Sequence, residues 1–409
     1  MERKKLEQQA EQAADVAGRL HLLILRILTG VLTFFLWSVP VSGIWMLRQM
    51  RGYHLIQDFP SYFRDVRLLV SAGWYLLSCF GMFCTLFWLC LICKRLRIAK
   101  RILVWSLIWI PLLNYGLAWY VRGLARQEID HDTCKIRLDD VRVEKQICST
   151  KYPLLLVHGV GFRDFHYFNY WGRIPRELRR NGACVYYGHQ EAWGTIEDNG
   201  QILREKILEI RRETGCEKVN IIAHSKGGLD ARYLITGLKM GDYVASLTTI
   251  NTPHRGSALV DFLEKLPDGV YRKICGMINR YFGRLGDRNP DAYTASRQLS
   301  CACAKDFNRR YPDVPGIYYQ SYASLMKHGF SSKLLCIPYW ILKWLDAPND
   351  GLVTVDSATW ANFRGVLQNT YLRGISHGDM IDLTREDYRG FGVLEFYIRL
   401  VQELREKGY

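Results

Sequence analysis

A serine set between a β-branched run and a helical pattern is the residue of this chain best placed to do covalent chemistry. Val219-Asn-Ile-Ile222 has the pattern of a buried strand, and it leads through Ala223 and His224 into Ser225-Lys226-Gly227 and a helical pattern reaching Leu238. This is the strand–turn–helix setting of a nucleophile elbow, whose usual form is G-x-S-x-G. The first position here is Ala223, which is still small. Small residues are needed for a steric reason. The serine sits on a sharp turn that brings strand and helix close together, and Gly227 and Gly228 keep side chains out of that approach. A serine held in this way and relieved of its proton by a neighbouring base attacks a carbonyl carbon. The bland alternative is a serine that caps the helix starting near Lys226.

The elements needed to position Ser225 follow a regular order. Leu154–Val157 is a continuous apolar run, the mark of a strand buried on both faces of a parallel sheet, and it ends in His158-Gly159-Val160-Gly161. A helical pattern spans Tyr170–Asn181, with Gly182 placed to cap it. Ala183–Tyr187 reads as a strand, and Asp198–Thr214 as a charged amphipathic helix ending at Gly215. The elbow strand, the elbow helix and a strand at Val244–Ile250 come next. Strands alternating with helices of this length imply parallel β-α-β units. Residues 256–315 lack a sheet pattern and carry two amphipathic stretches, Leu259–Leu266 and Val270–Phe282. Gly316–Ser324 reads as a further strand, and the apolar segment Ser331–Leu345 either lines a groove, touches a membrane or packs in the core.

Three stretches of this region are Pro153-Leu-Leu-Leu-Val-His-Gly159, Val219-Asn-Ile-Ile-Ala-His-Ser-Lys-Gly-Gly228 and Asn251-Thr-Pro-His-Arg-Gly-Ser257. On these, the chain resembles the bacterial triacylglycerol lipase/esterase family of the α/β-hydrolase fold. The likeness extends through Asn349-Asp-Gly-Leu-Val353 to His377, covers residues 150–405, and leaves out the first 130. It implies a mostly parallel sheet flanked by helices and a triad in the order Ser, Asp, His. Asp350 matches the segment that carries the acid, although a plain Asn-Asp-Gly turn reads the same locally. His377, in Tyr371-Leu-Arg-Gly-Ile-Ser-His-Gly-Asp379, follows in the right order at the end of a strand-like run; His328 precedes Asp350 and is excluded by order.

The resemblance also assigns the His158-Gly159 turn to an oxyanion hole. The backbone N–H groups of Val160 and Lys226 are its donors, and His158, Gly159 and Gly227 support the motif. His158, His224 and His254 read as structural. Residues 256–315 stand where related lipases carry a lid; a mobile lid and a fixed helical cap both remain open. The implied reaction is hydrolysis of lipid or other acyl esters through an acyl-enzyme. An acyltransferase on the same triad, and a non-catalytic hydrolase-like interaction domain, are the alternatives. No cofactor is expected. In calcium-dependent relatives an Asp just after the catalytic His binds the ion, and Asp379 matches it, but Leu383 stands near where a glutamine belongs and no upstream partner Asp is found. Calcium is left open, with Asp379 the single candidate ligand.

The chain has 409 residues and a net charge of +15, with residues 1–126 holding 16 Lys/Arg against 6 Asp/Glu. The basic excess therefore belongs mainly to three long apolar runs, near 21–46, 68–93 and 102–121, and their flanks. Runs of this length suit membrane spans of about 20 residues, and basic flanks orient such helices, so nucleic acid is not the expected partner. A helical soluble domain is the alternative. Pro111 and Asn114 fall inside the third run. The organisation expected is a transmembrane region at 1–126, a linker at 127–150 with one short strand, and the hydrolase at 151–409. Three spans, with Arg3, Lys4, Lys5, Arg19 and the Lys94–Arg101 cluster inside, place the hydrolase on the extracytoplasmic side of a multi-pass protein. Twelve cysteines without a framework spacing point instead to a reducing compartment. Cys301-Ala-Cys303 is too closely spaced for a zinc pair.

Overall fold

The computed structural model describes residues 2–51, 64–96, 98–110, 113–161, 169–345, 347–387 and 390–409. The chain divides into two units, Met1–Val141 and Arg142–Tyr409.

The first unit is helical: α1 (Glu2–Met50), α2 (Val66–Ile92), α3 (Ile98–Leu107) and α4, which runs from Leu113 to Lys145. Leu25, Leu32 and Leu36 of α1 bury against Met82, Leu86 and Leu89 of α2. The approach is close because Gly81 has no side chain: a Cβ there would meet the Phe35 ring at 2.2 Å. The opposite faces are apolar but exposed, with Phe34, Trp37 and Val41 on α1 and Leu76, Leu77 and Phe80 on α2. Two expectations fail here. The run 102–121 is not one helix, since α3 and α4 are separate. α3 ends at Leu107 and α4 starts at Leu113; Pro111 and Leu112, like Arg97 of the basic cluster, lie outside the described residues. The linker expected at 127–150 is mostly helix instead, because α4 continues to Lys145 through a stretch without Gly or Pro. It is tied within the unit by Glu128 to His21 Nε2 at 2.9 Å and by Arg26 to Thr133 Oγ1 at 2.5 Å.

The second unit runs β1 (Leu154–Val157), α5 (Ile174–Arg180), β2 (Val185–Tyr187), α6 (Ile196–Thr214), β3 (Val219–His224), α7 (Gly227–Thr236) and β4 (Val244–Ile250). Four helices follow, α8 (Ala258–Leu263), α9 (Asp268–Arg284), α10 (Ala292–Arg297) and α11 (Cys301–Arg310), and then β5 (Tyr318–Ser324). The chain closes with α12 (Cys336–Trp344), α13 (Val355–Ala358), β6 (Asn362–Leu367) and α14 (Val393–Glu406). The strands form one parallel sheet in the order β2-β1-β3-β4-β5-β6. Every residue of β1, β3 and β4 is buried, as parallel strands covered on both faces require, and β1 is apolar throughout. One face is covered by Trp171, Leu178 and, from α14, Tyr397 and Val401; the other by Leu203, Ile207 and Ile210 of α6 with Leu234 of α7. This is the α/β-hydrolase architecture.

β6 has no counterpart in the sequence reading. It is a half-exposed edge strand with mixed residues, so it shows no apolar run. The strand-like run before His377 is a loop that meets the segment just after β5 through a Met326–Gly374 bridge and an Ile375 N–H donated to Leu325 O at 2.7 Å. Trp171 is fully buried, edge-on to Tyr397 with centroids 6.1 Å apart. Trp171→Ala is expected to destabilise this unit by about 3–5 kcal/mol, read as a lowered urea midpoint at unchanged slope.

Candidate active site

The loops at the carboxyl ends of β1, β3 and β5, together with the stretch after β6, bring the candidate residues to one edge of the sheet, where open α/β sheets bind ligands. Ser225 follows β3 directly and has φ of 55°, a left-handed conformation that is uncommon for a residue with a side chain. Its N–H donates to Ile250 O at 3.0 Å, and its own carbonyl accepts from Gly228 N at 3.1 Å, so the strained turn is held from both sides. Three glycines make room for it. A Cβ on Gly227 would stand 2.3 Å from His158 O, and one on Gly228 would stand 2.2 Å from Thr252 Oγ1. A Cβ on Gly159 would stand 2.7 Å from Ser225 Cβ and 3.2 Å from its Oγ. The β1 turn therefore lies directly on the serine.

His158 holds that turn rather than facing outward. Its Nδ1 lies 2.8 Å from Gly159 O and its Nε2 3.0 Å from Gln190 O, while Gln190 Nε2 donates back to His158 O at 2.9 Å. Val160 is half-buried beside it.

His377 and Asp350 form a buried pair, with Nδ1 and Oδ2 2.7 Å apart and the His377 N–H donating to Asp350 O at 2.8 Å. The other carboxylate oxygen of Asp350 accepts the N–H groups of Leu352 and Val353 at 2.9 and 2.8 Å, so the acid is fixed by its own turn. Gly351, with φ of 103°, is required there: a Cβ would press on Leu335 at 2.8 Å. The His377 ring packs on the ring of His224, with centroids 4.4 Å apart, and His224 precedes Ser225. Burial, reinforced by His377, holds the His224 pKa well below the ordinary histidine value, so this imidazole stays neutral. Tyr170 Oη hydrogen-bonds its Nδ1 at 2.7 Å. The sequence shows no sign of Tyr170 or Gln190 as site supports, because both act across the fold.

Lys226 carries a feature that its i, i+4 spacing to Asp230 could have revealed. Both side chains are buried, with Nζ and Oδ1 2.6 Å apart, and Asn199 Nδ2 donates to the second oxygen of Asp230 at 3.1 Å. Burial pushes the Asp230 carboxyl up to about 6, against the pull of Lys226. His254 lies away from this cluster, stacked on Trp360 and bonded to Thr249 Oγ1 at 2.9 Å.

Asp379 does not fit a calcium ligand. Arg373 takes both its oxygens at 2.8 and 2.9 Å, and the Ser376 N–H donates to one of them at 2.8 Å in a capping box. Leu383 offers no donor, and among the described residues no group of three His, Cys, Asp or Glu could hold a metal ion. The Arg373–Asp379 pair braces the turn that carries His377.

Residues 256–315 are wholly helical outside their loops, and they are tied to the segment after β2 by two buried carboxylates. Glu191 accepts the N–H groups of Arg288 and Asn289, and Asp287 those of Ala192 and Trp193.

Residues 151–256 match the model of a family described as lipase (class 2). Among curated proteins, the chain is 30% identical over 266 residues to triacylglycerol lipase 2 of Saccharomyces cerevisiae, covering 59% of this chain and 74% of the yeast protein. It is 31% identical over 233 residues to a triacylglycerol lipase of Burkholderia plantarii, covering 54% of this chain and 60% of that one. Among solved structures, the mature lipase BlEst2 of Bacillus licheniformis aligns at 23% identity and a TM-score of 0.47, over 62% of this chain and 92% of that one.

Lys226→Met, which strands the buried Asp230, is expected to cost about 3–5 kcal/mol of stability in chemical denaturation. The double change Lys226→Met/Asp230→Leu is expected to recover most of that loss, since no buried charge then lacks its partner.

Proposed function

The chain belongs to the class 2 lipase family of carboxylic ester hydrolases, and on that footing we propose that it is a membrane-anchored serine hydrolase cleaving carboxylic esters of lipids, triacylglycerols among them. Ser225 is the nucleophile, His377 the general base and Asp350 the acid. His377 takes the proton from Ser225 Oγ as the oxygen attacks the ester carbonyl. Asp350 fixes the tautomer with the proton on Nδ1 and stabilises the imidazolium that forms. The N–H groups of Val160 and Lys226 receive the oxyanion. His377 then protonates the leaving alcohol, and water, activated by the same base, releases the acyl group from Ser225.

The observation that carries this reading is the His377–Asp350 pair at 2.7 Å, packed on the residue preceding a serine in a left-handed turn. A capping serine would need neither the strain nor a hydrogen-bonded His–Asp pair beside it. Fluorophosphonate labelling of the intact protein in detergent tests it. Wild type is expected to label, and Ser225→Ala and His377→Ala to remain folded without labelling; labelling of Ser225→Ala at the wild-type rate would exclude Ser225. Asp350→Asn keeps the shape but supplies the wrong tautomer, and kcat is expected to fall by about 10⁴.

The anchor is α1 with α2. Their apolar stretches span 35 and 27 residues, and only 33% of the apolar window of each is buried. With two spans rather than three, the N-terminus and the hydrolase unit share one side of the bilayer. Arg3, Lys4 and Lys5 at the start of α1 and the basic cluster after α2 then fall together on the cytoplasmic side. All twelve cysteines are free, in keeping with a reducing compartment. A membrane-impermeant maleimide is expected to label the exposed Cys303 only after the cells are permeabilised; labelling in intact cells would restore the extracytoplasmic placement.

A further inference from the structure

Helix α12 lies between β5 and the Asp350 turn, and both of its faces are apolar. Leu335, just before it, with Tyr339 and Leu342 points inward and is buried. Leu335 is the side chain that packs on Gly351, next to Asp350. The outward stripe is Ile337, Trp340 and Trp344, spaced at helical intervals of three and four, and 74%, 50% and 79% exposed. A surface helix of a water-facing domain carries polar residues on that side. Phe330 and Leu334, in the loop leading into the helix, are 80% and 68% exposed and continue the patch.

Two features of the segment say what covers it. The stretch from Lys327 to Leu345 has three lysines, all exposed, and no acidic residue, so its field attracts anions around an apolar centre. Its exposed anchors are tryptophans, whose rings favour the boundary between headgroups and acyl chains. An apolar face rimmed by lysine and rich in tryptophan is the pattern of a helix lying in a membrane interface. The same chain carries two helices apolar and long enough to cross a bilayer, so such a surface is within reach of every copy.

We propose that α12 docks the hydrolase unit on an anionic lipid surface, with Ile337, Trp340 and Trp344 entering the headgroup–acyl boundary and Lys333 and Lys343 against anionic headgroups. The helix is then a second, local attachment besides the spanning helices, and it lies one residue contact from the turn that fixes Asp350. This rests on the membrane-anchored reading above, and lipid reaches the site from the surface on which α12 lies.

The test uses the full chain with Trp344→p-benzoylphenylalanine, reconstituted into vesicles of phosphatidylcholine and phosphatidylglycerol, floated on a density gradient and irradiated. Acyl-chain adducts at position 344, well above those from the same probe at the exposed Arg399 of α14, are expected. Lys333→Gln/Lys343→Gln, or vesicles of phosphatidylcholine alone, should lower the adduct on the order of tenfold, given the attraction of each lysine to an anionic surface. Protein that floats but gives no excess adduct at 344 overturns the docking while leaving the anchor intact. A cross-link from 344 to a second copy or to another protein overturns it as well. An adduct indifferent to charge overturns the anionic preference, and protein that fails to float overturns the anchored reading and the docking with it. None of these readouts depends on ester hydrolysis.

Discussion

Ser225 can stand where it does only because three neighbouring residues have no side chain. The turn at φ 55° is strained, and the β1 turn, the start of α7 and the loop after β4 all crowd it. Methyl groups at 159, 227 or 228 would overlap backbone or side-chain atoms at under 3 Å. The rest of the sheet answers to this constraint. β1 and β4 flank β3 in register, so the carbonyl of Ile250 and the turn at His158 meet the elbow from either side. A small shift of either strand would loosen the serine and the turn at His158 together.

Charge is handled locally around this point. Asp350 spends one oxygen on the N–H groups of its own turn and offers the other to His377. Arg373 and Asp379 pin the next turn. Lys226 and Asp230 cross the first turn of α7, out of water, with Asn199 completing the acid's bonding. Each is a buried charge with its partner in place, the condition under which burial is tolerated. Asn199 also bonds the backbone of Glu191, whose carboxylate holds the loop after α9. One hydrogen-bonded chain thus runs from the elbow helix to the loop after α9.

The outward surfaces divide by what they must meet. α1 and α2 expose apolar side chains along their length, while α6 faces water with a strongly charged side. α12 also exposes apolar side chains although it sits in the second unit.

Much of the enzyme was legible in the residue order. β1, β3 and β4 read as strands because they are buried on both faces, and the elbow read as an elbow because its requirement for small residues is local. Order and likeness picked out Asp350 and His377, which the fold brings within hydrogen-bond distance. β6 was not, because an edge strand has no apolar run to read. The run 102–121 divides between α3 and α4, and the expected linker is mostly helix because helix formers without Gly or Pro kept α4 going. Tyr170, Gln190 and Arg373 were silent, since their roles come from partners that the chain meets only once folded. The sequence by itself determined which segments become buried strands and which serine can bear the strained turn, because those depend on neighbours along the chain. Only the tertiary structure decided that His377 should lie on His224 and bond Asp350, and that Arg373 should occupy Asp379, because a carboxylate's partner is chosen by distance in space.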